Sequence, residues 1–244
     1  MKHRIFSILA ALALVVLGSG YSFANGCGAL PKASQLTTFL IAAPGTGGDA
    51  GGLFHGSRMW AAVVDRDGIL CAFAPSTSDP TQVWPGSQAI AKAKAYTANA
   101  FSLDSLALST ARLYTFTQPG HSLWSLGQSN PFSPAFLAPT GGQDGGKNQI
   151  AGGMIFFGGG VPLYQNQSGK IIGGLGISGD TSCTDHEIAK RVRTLASMDP
   201  PGGPSVDDIS YSSVDGPSVF THPLCPNTWR NGVSIGTELP AAGY

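Results

Sequence analysis

Residues 169–179 read GKIIGGLGISG, and residues 158–163, shortly before them, read GGGVPL. Short apolar runs separated by glycines are typical of strands that tight turns connect. We predict three strands here, over residues 154–157, 161–164 and 170–178. Strands joined by short hairpin turns run antiparallel, so these residues predict the centre of an antiparallel sheet.

A helix is predicted directly after the third strand. Thr184 and Glu187 have the spacing of a capping box, in which two side chains satisfy free N–H groups at the start of a helix. Ile188, Val192 and Leu195 then fall on one face. This face gives the helix an apolar side with which to cover the sheet.

A hairpin and further helices are predicted before the three strands. Residues 60–65 (WAAVVD) and 69–73 (ILCAF) are β-rich runs joined by a short Asp-Gly turn. Ser87 is placed to cap a helix. The positions of this helix that fall on one face are Ile90, Ala93, Thr97 and Phe101. Another helix is predicted over 104–114, and residues 117–149, rich in Gly, Pro, Ser and Asn, predict a functional loop or an arm.

This order of elements predicts the fold class and the domain organisation. A hairpin, helices, three strands and a helix are accounted for by an α/β (α+β) fold with one antiparallel sheet covered by helices. We predict a signal peptide over 1–24 and a single domain over 25–198. Residues 199–244, rich in Pro and Gly, are predicted as an extension that lies on the surface and is tied down at Cys225.

The N-terminus predicts export. Lys2 and Arg4 precede an apolar run over 5–17, and residues 22–24 (SFA) suit a signal peptidase that cleaves before Asn25. The apolar run is shorter than the roughly 20 residues that a membrane-spanning helix needs. We therefore expect a periplasmic or secreted protein without a transmembrane segment after cleavage.

The charge of the chain excludes one class of partner. Charged residues make up 11% of the sequence, and acidic residues slightly outnumber basic ones once Lys2 and Arg4 are removed with the signal peptide. Binding to nucleic acid or to an anionic membrane needs clustered Lys and Arg. We therefore expect no nucleic-acid partner.

Four cysteines remain after cleavage: Cys27, Cys71, Cys183 and Cys225. An even number in an oxidising compartment predicts two disulfides, and the sequence leaves all three pairings open. Two alternatives compete with this interpretation. Cys183 and His186 have the spacing of metal ligands, although we expect no second such pair that would complete a tetrahedral site. Cys27 has the position of a lipid-attachment site without the leucine that such sites carry.

Two catalytic or nucleotide-binding motifs are matched only in part. Gly174, Gly176 and Gly179 fit the Gly-x-Gly-x-x-Gly pattern, but the acidic residue at the required distance, Asp199, stands in a Met-Asp-Pro-Pro sequence that cannot be a central strand. Ser178 lacks the glycine spacing of a nucleophile elbow. Neither a dinucleotide site nor a hydrolase triad is therefore predicted.

The turn that contains Ser178, Gly179 and Thr181 is a candidate anion-binding turn. It leads into a helix N-terminus, where free N–H groups and the positive end of the helix dipole favour a carboxylate or a phosphate. The alternative is that Thr184 and Asp185 already satisfy these groups.

Three sequence blocks resemble a known family. They are residues 62–68 (AVVDRDG), residues 94–98 (KAYTA) with Phe101, and the glycine-rich block over 158–179 with Asp185. Together they span about residues 55–196 and resemble the GlcG/HbpS-like haem-binding, haem-degrading family. The resemblance implies a profilin-like antiparallel sheet of about five strands flanked by helices, haem as a ligand, and assembly into homo-oligomers.

Candidate haem-binding residues follow from donor chemistry and from the family blocks. The chain has no Cys-x-x-Cys-His motif, so haem would be held noncovalently. Possible axial donors are His121, His55 and His186, together with Tyr164 and the methionines. His121 is favoured because it stands in an apolar loop. Lys94 and Thr97 are added because they match the family helix.

Three functions remain open at this point. The first is an exported haem-binding protein that acts in haem sequestration, buffering or sensing. The second is an enzyme that acts on haem or another small molecule in the same pocket, with Lys94, Asp185 and His121 as its titratable groups. The third is an oligomer without a ligand that binds a partner protein.

Overall fold

Four antiparallel strands form the main sheet of the computed structural model, which describes residues 26–136, 148–166 and 168–239. The strands are β1 (Trp60–Asp65), β2 (Leu70–Pro75), β3 (Gly160–Tyr164) and β4 (Ile171–Ser178), in the order β2-β1-β4-β3. The predicted α/β class and the antiparallel sheet are confirmed, with four strands instead of about five. The predicted signal peptide lies outside the described residues.

Helices cover both faces of this sheet. They are α1 (Ala33–Ala42), α2 (Ser87–Phe101) and α3 (Ser182–Leu195). Successive residues of β1 point to opposite faces, so Ala61 and Val63 pack in one core with α1 and α3, whereas Ala62 and Val64 pack in a second core with α2. The result is a helix–sheet–helix arrangement with two separate apolar layers.

Glycines in β4 set the distance between the sheet and α2. A Cβ atom on Gly176 would collide with the carbonyl oxygen of Ala91, and one on Gly174 would collide with that of Ala95. Because α2 presents alanines here and β4 presents hydrogen atoms, the backbones approach closely. The glycine-rich sequence that predicted turns therefore lies partly inside a strand, where it makes room for a helix.

Residues 154–157, predicted as a strand, do not pair with the sheet. Gly152 and Gly153 have positive φ angles and turn the chain beside α2. The N–H group of Ile155 then donates to Thr97 Oγ1 at 3.0 Å, so a side chain takes the place of a strand partner. The prediction was wrong because apolar composition alone does not show where the backbone hydrogen bonds go.

The predicted helix over 104–114 is replaced by short 3₁₀ turns at Thr110–Leu113 and Thr115–Thr117. Ser102 is one cause, because its Oγ bonds both the N–H and the carbonyl group of Leu108 in a non-helical conformation. The preceding helix α2 begins at Ser87 with Gly86 as its N-cap, so Ser87 is its first residue and not its cap.

Helix α3 begins three residues earlier than predicted. Thr181 is the N-cap residue, and its side chain accepts the N–H group of Thr184. The capping box between Thr184 and Glu187 was therefore wrong. Glu187 is instead engaged with Lys190 at 3.0 Å and with Arg191 at 3.1 Å, within the same helix.

The C-terminal residues contribute a third apolar core. After α3 the chain forms β5 (Ser210–Tyr211), α4 (Ser212–Asp215), β6 (Thr221–His222), β7 (Thr228–Arg230) and β8 (Val233–Gly236). Ile209, Tyr211 and Cys225 are buried together with Ala111 and Cys183. The extension predicted to lie on the surface therefore packs into the protein, while the domain boundary at residue 198 stays a prediction.

Two disulfides connect distant parts of the chain, as the cysteine count predicted. Cys27 pairs with Cys71 and joins the N-terminal residues to β2, and Cys183 pairs with Cys225 and joins α3 to the C-terminal residues. Among the described residues, no helix combines the length and the apolar character needed to cross a membrane.

Candidate functional site

An aromatic cavity of about 440 Å³ lies between the loop over 114–128 and residues 154–157. Its walls combine four aromatic rings with aliphatic and amide side chains. The aromatic residues are Tyr114, Trp124, Phe156 and Phe157, and among the others are Leu126, Gln128, Met154 and Ile155. Its volume falls within the range that small-molecule sites occupy in proteins.

Both walls of this cavity are held by local hydrogen bonds. The loop folds through consecutive turns, in which His121 N–H donates to the Gln118 carbonyl and Trp124 N–H donates to the His121 carbonyl, both at 3.1 Å. The opposite wall is fixed to α2 by the bond from Ile155 to Thr97. Trp124 stays 54% exposed, so the cavity opens to solvent beside a large apolar ring.

A smaller cavity of about 180 Å³ adjoins the first. It lies against α2 and is lined by Ile90, Ala93 and Phe132, and it shares Met154 and Ile155 with the larger cavity. The chain at residues 154–155 therefore separates two apolar spaces. Ile90 and Ala93, which were predicted to share one face of α2, both line the smaller cavity.

A buried ion pair stands behind the cavity wall. Lys94 Nζ lies 2.7 Å from Asp185 Oδ2 and 4.9 Å from the ring centre of Phe157, which lines the cavity. Burial lowers the pKa of Lys94 and raises that of Asp185 to about 6, and in both groups the partner's charge opposes the effect. Neither residue lines the cavity, so the pair supports the wall and does not face a ligand.

The candidate anion-binding turn is engaged by the chain's own side chains. The N–H groups of Gly179 and Asp180 donate to Asp185 Oδ1 at 3.0 and 2.9 Å. Thr181 caps α3, and Ser178 is buried at the end of β4. The turn therefore binds a carboxylate that the sequence itself supplies, which is the alternative considered above. Binding of an external anion at this turn stays a prediction.

The candidate haem donors lie in different parts of the molecule. His55 is exposed, and its ring lies 2.8 Å from Asp49, a hydrogen bond that raises the pKa of His55. His186 is buried, and neither of its ring nitrogens makes a hydrogen bond within the described chain. His121 is exposed on the loop that forms one cavity wall. The structure does not bring the three histidines together, and none of them lines the larger cavity.

Two residues that carry possible iron donors line the cavity, Tyr114 and Met154. Met154 is one of the methionines that were predicted as possible donors, whereas Tyr114 was not predicted. The sequence signal was the long loop itself, whose aromatic residues are brought opposite Phe156 and Phe157. Tyr164, the tyrosine considered earlier, is buried and donates to the Leu103 carbonyl at 2.7 Å, and burial raises its pKa to about 12.

The family model described as "Haem degrading protein HbpS-like" matches residues 50–193. The chain belongs to the HbpS-like family. Its fold is similar to the crystal structures of a PduOC:haem complex (25% identity, 66% of this chain and 88% of that chain, TM-score 0.45), Klebsiella pneumoniae protein ORFY (21%, 70% and 89%, 0.46) and HbpS (18%, 80% and 98%, 0.44). A comparison with curated protein sequences gave no match.

The cavity of this HbpS-like protein fits the chemistry of haem. Haem is a flat and largely apolar group, and Trp124, Phe156 and Phe157 offer flat apolar contacts. Tyrosine oxygen and methionine sulfur are both established haem-iron donors, which Tyr114 and Met154 would supply. In the part of the chain that the structure describes, no Lys or Arg lines the cavity, so this lining offers no cation to the haem carboxylates.

Proposed function

We propose that this protein binds haem noncovalently in the aromatic cavity and acts outside the cytoplasm in haem sequestration, buffering or sensing. The observation that carries the proposal is an open aromatic cavity with two iron-donor side chains in a member of a haem-related family. When bound, haem would supply the redox and ligand-binding chemistry of its iron. The chain would supply flat apolar walls, one or two axial donors and the exclusion of water.

A haemin titration tests the proposal. The mature protein, residues 25–244, is titrated with haemin while the Soret absorption is recorded. We expect a saturable shift at one haem per chain. An absorption spectrum identical to that of free haemin throughout the titration would contradict the proposal.

Single variants identify the axial donor. Tyr114→Phe removes only the hydroxyl group, and Met154→Leu replaces the sulfur with little change in volume. His121→Ala tests the donor that was favoured from the sequence, on the loop that forms one cavity wall. Loss of the donor is expected to change the Soret position and to weaken binding by at least about tenfold. His55→Ala is the matched control, because His55 is exposed and paired with Asp49 away from the cavity wall.

The wall itself is tested by Trp124→Ala and Phe156→Ala. Each ring buries apolar surface against haem only when haem is bound, so we expect weaker binding with an unchanged Soret position. A shift of the Soret maximum as large as that in the donor variants would contradict this expectation. It would show that the substitution distorts the iron environment and does not only remove an apolar contact.

Extracytoplasmic location and assembly into homo-oligomers belong to the same proposal. Two disulfides support an oxidising compartment. Exposed large side chains, including Trp84, Leu103 and Leu106, leave apolar surface for contact between copies. Fractionation of cells with detection of the processed protein tests location, and light scattering of the purified protein tests assembly. A cytoplasmic, reduced protein or a strict monomer would contradict the respective part.

A further inference from the structure

A buried cluster of sulfur and nitrogen atoms lies outside the proposed haem cavity. The ligand atoms of Cys183, His222 and Cys225 are all within 4.8 Å of one another. The three side chains are buried, and the two cysteines form a disulfide. Two thiolates and one imidazole are the donors that zinc and related metal ions prefer, and the disulfide is the form in which these sulfurs cannot act as thiolates.

The sequence around the cluster contains two ligand pairs in opposite order. Cys183-x-x-His186 lies on α3, and His222-x-x-Cys225 lies on the C-terminal residues. Residues three apart on a helix share a face, so Cys183 and His186 lie on the same side of α3. The second pair, which sequence analysis did not recognise, is supplied by a distant part of the chain.

His222 is held in the form that binds metal ions. Its Nδ1 lies 2.7 Å from the Pro223 carbonyl, to which it donates, so Nε2 carries the lone pair. This lone pair accepts the N–H group of Gly158 at a long 3.3 Å. A neutral imidazole oriented by a backbone carbonyl is the usual metal-ligand arrangement.

His186 is a nearby nitrogen-bearing side chain, although its ring nitrogens do not belong to the close cluster formed by the other three residues. Both of its ring nitrogens are without a hydrogen bond in the described chain, although the residue is only 1% exposed. A buried polar group without a partner needs an explanation. Its Nε2 lies 3.5 Å from Asp208 Oδ1, a position from which a carboxylate can orient a metal-bound histidine. Gly158 also packs against His186, so both histidines contact the same glycine.

The start of α3 favours the thiolate form of Cys225. Cys225 Sγ accepts the N–H group of Cys183 at 3.2 Å and lies 3.3 Å from Ser182 Oγ. Both groups belong to the first turn of a 14-residue helix, where the dipole favours negative charge. Hydrogen-bond donors at the start of α3 therefore already face the Cys225 sulfur.

We propose that reduction of the Cys183–Cys225 disulfide creates a binding site for a divalent metal ion of the zinc type, with Cys183, Cys225, His222 and His186 as its ligands. A dithiol reductant donates two electrons and two protons to the bridge and becomes a disulfide itself. The metal ion then displaces the two thiol protons. Tetrahedral zinc places its ligand atoms about 3.3 to 3.8 Å apart, a spacing that Cys183, Cys225 and His222 reach after small movements, whereas the His186 ring must turn toward them.

Cobalt binding to a protein with a single reducible bridge tests this site. The double variant Cys27→Ser/Cys71→Ser is reduced with dithiothreitol, freed of reductant without oxygen, and titrated with Co²⁺, whose thiolate complexes absorb strongly. We expect one Co²⁺ per chain, displaced by Zn²⁺, and no such absorption in the oxidised protein. His222→Gln or His186→Gln in this background should weaken binding at least about tenfold. A reduced protein without cobalt–thiolate absorption would overturn the proposal.

The other cysteine pair is the matched control. Cys27, Asp65 and Cys71 form a second close cluster, so Cys183→Ser/Cys225→Ser, which keeps only that bridge, is reduced and titrated in the same way. Equal cobalt binding by this variant would overturn the assignment.

Alkylation of the wild-type chain covers the case in which a variant does not fold. The protein is reduced with and without Zn²⁺ and treated with iodoacetamide, and peptide mass spectrometry measures each cysteine. We expect Zn²⁺ to protect Cys183 and Cys225 and not Cys27 or Cys71. Equal alkylation of all four would overturn the site. No haem is present in these experiments, so their outcome is independent of the haem titration.

Discussion

His222 connects three features of the molecule through one ring. It accepts a backbone N–H group from Gly158, donates to Pro223, and lies with its ring centre 5.1 Å from that of Tyr114, a cavity-lining residue, in a tilted arrangement. Burial lowers its pKa to about 4, and the nearby positive charge of Lys94 acts in the same direction. A histidine kept neutral in the fold makes stability depend on pH.

We expect this histidine to weaken the fold in mild acid. The unfolded chain takes up a proton near pH 6.5, whereas the folded chain does so only near pH 4. Stability from this group is therefore complete above pH 6.5 and is lost as the pH falls through that window, by about 2 kcal/mol between pH 7 and pH 5. Urea unfolding of the wild type and of His222→Gln at both values measures it. Identical pH dependence in the two proteins would contradict the assignment.

The Lys94–Asp185 pair is fully buried, so loss of one partner should be costly. Lys94→Met leaves the Asp185 carboxylate without its cation, and we expect the free energy of unfolding to fall by about 3–5 kcal/mol. Chemical denaturation at pH 7 measures the change. Lys170→Met, at an exposed position, is the control and should be neutral. A loss below about 1 kcal/mol for Lys94→Met would show that the pair is dispensable.

Helix α2 and strand β4 depend on each other through their smallest residues. Alanines on the helix face glycines on the strand, and the carbonyl oxygens of Ala91 and Ala95 occupy the space where side chains of Gly176 and Gly174 would stand. This contact is the centre of one of the two apolar layers. It explains why an alanine-rich helix with few large apolar residues is nevertheless held firmly on the sheet.

Gly176→Ala tests this packing. The added methyl group collides with the backbone of α2, which cannot move aside as a flexible side chain could, so we expect a loss of at least about 2–3 kcal/mol. Thermal unfolding, with circular dichroism as the signal, measures it. Gly86→Ala is the control, because no atom lies within 4 Å of the added methyl group there. Equal melting temperatures for the two variants would refute the close approach.

Elements with strong local signals were predictable from the sequence, and elements defined by tertiary hydrogen bonds were not. The β1–β2 hairpin and helices α2 and α3 have clear periodicity and turn residues. Residues 154–157 have the composition of a strand, but Thr97 takes the hydrogen bond that a neighbouring strand would have made. The start of α3 was misplaced because Glu187 pairs within the helix and not with its first turn.

The aromatic cavity and the cysteine–histidine cluster each combine residues that are far apart in the sequence, so local sequence patterns could not predict them. The aromatic cavity joins the loop over 114–128 to residues 154–157, and the cysteine–histidine cluster joins α3 to residues 222–225. Neither pairing follows from local spacing. The family blocks correctly predicted the family and the fold, but they consist mostly of glycines and other backbone-shaping residues.

Removal of the Cys183–Cys225 bridge should weaken the molecule as a whole. The bridge closes a loop with a sequence separation of 42, and its loss increases the entropy of the unfolded chain by an amount equivalent to roughly 3–4 kcal/mol. Urea unfolding of Cys183→Ser/Cys225→Ser at pH 7 measures the effect, with the Cys27→Ser/Cys71→Ser variant for comparison. Unchanged stability would show that the C-terminal residues hold their place without the covalent link.

The two disulfides close separate loops, one over residues 27–71 and one over 183–225. Peptide cleavage inside either loop leaves a covalently continuous molecule, whereas cleavage between residues 72 and 182 produces two halves without a covalent bond between them. When the cut precedes residue 171, strand β1 of the first half pairs with β4 of the second at the middle of the sheet. A protein nicked in that interval would thus migrate as one species in its native state and as two on a denaturing gel, even without reductant.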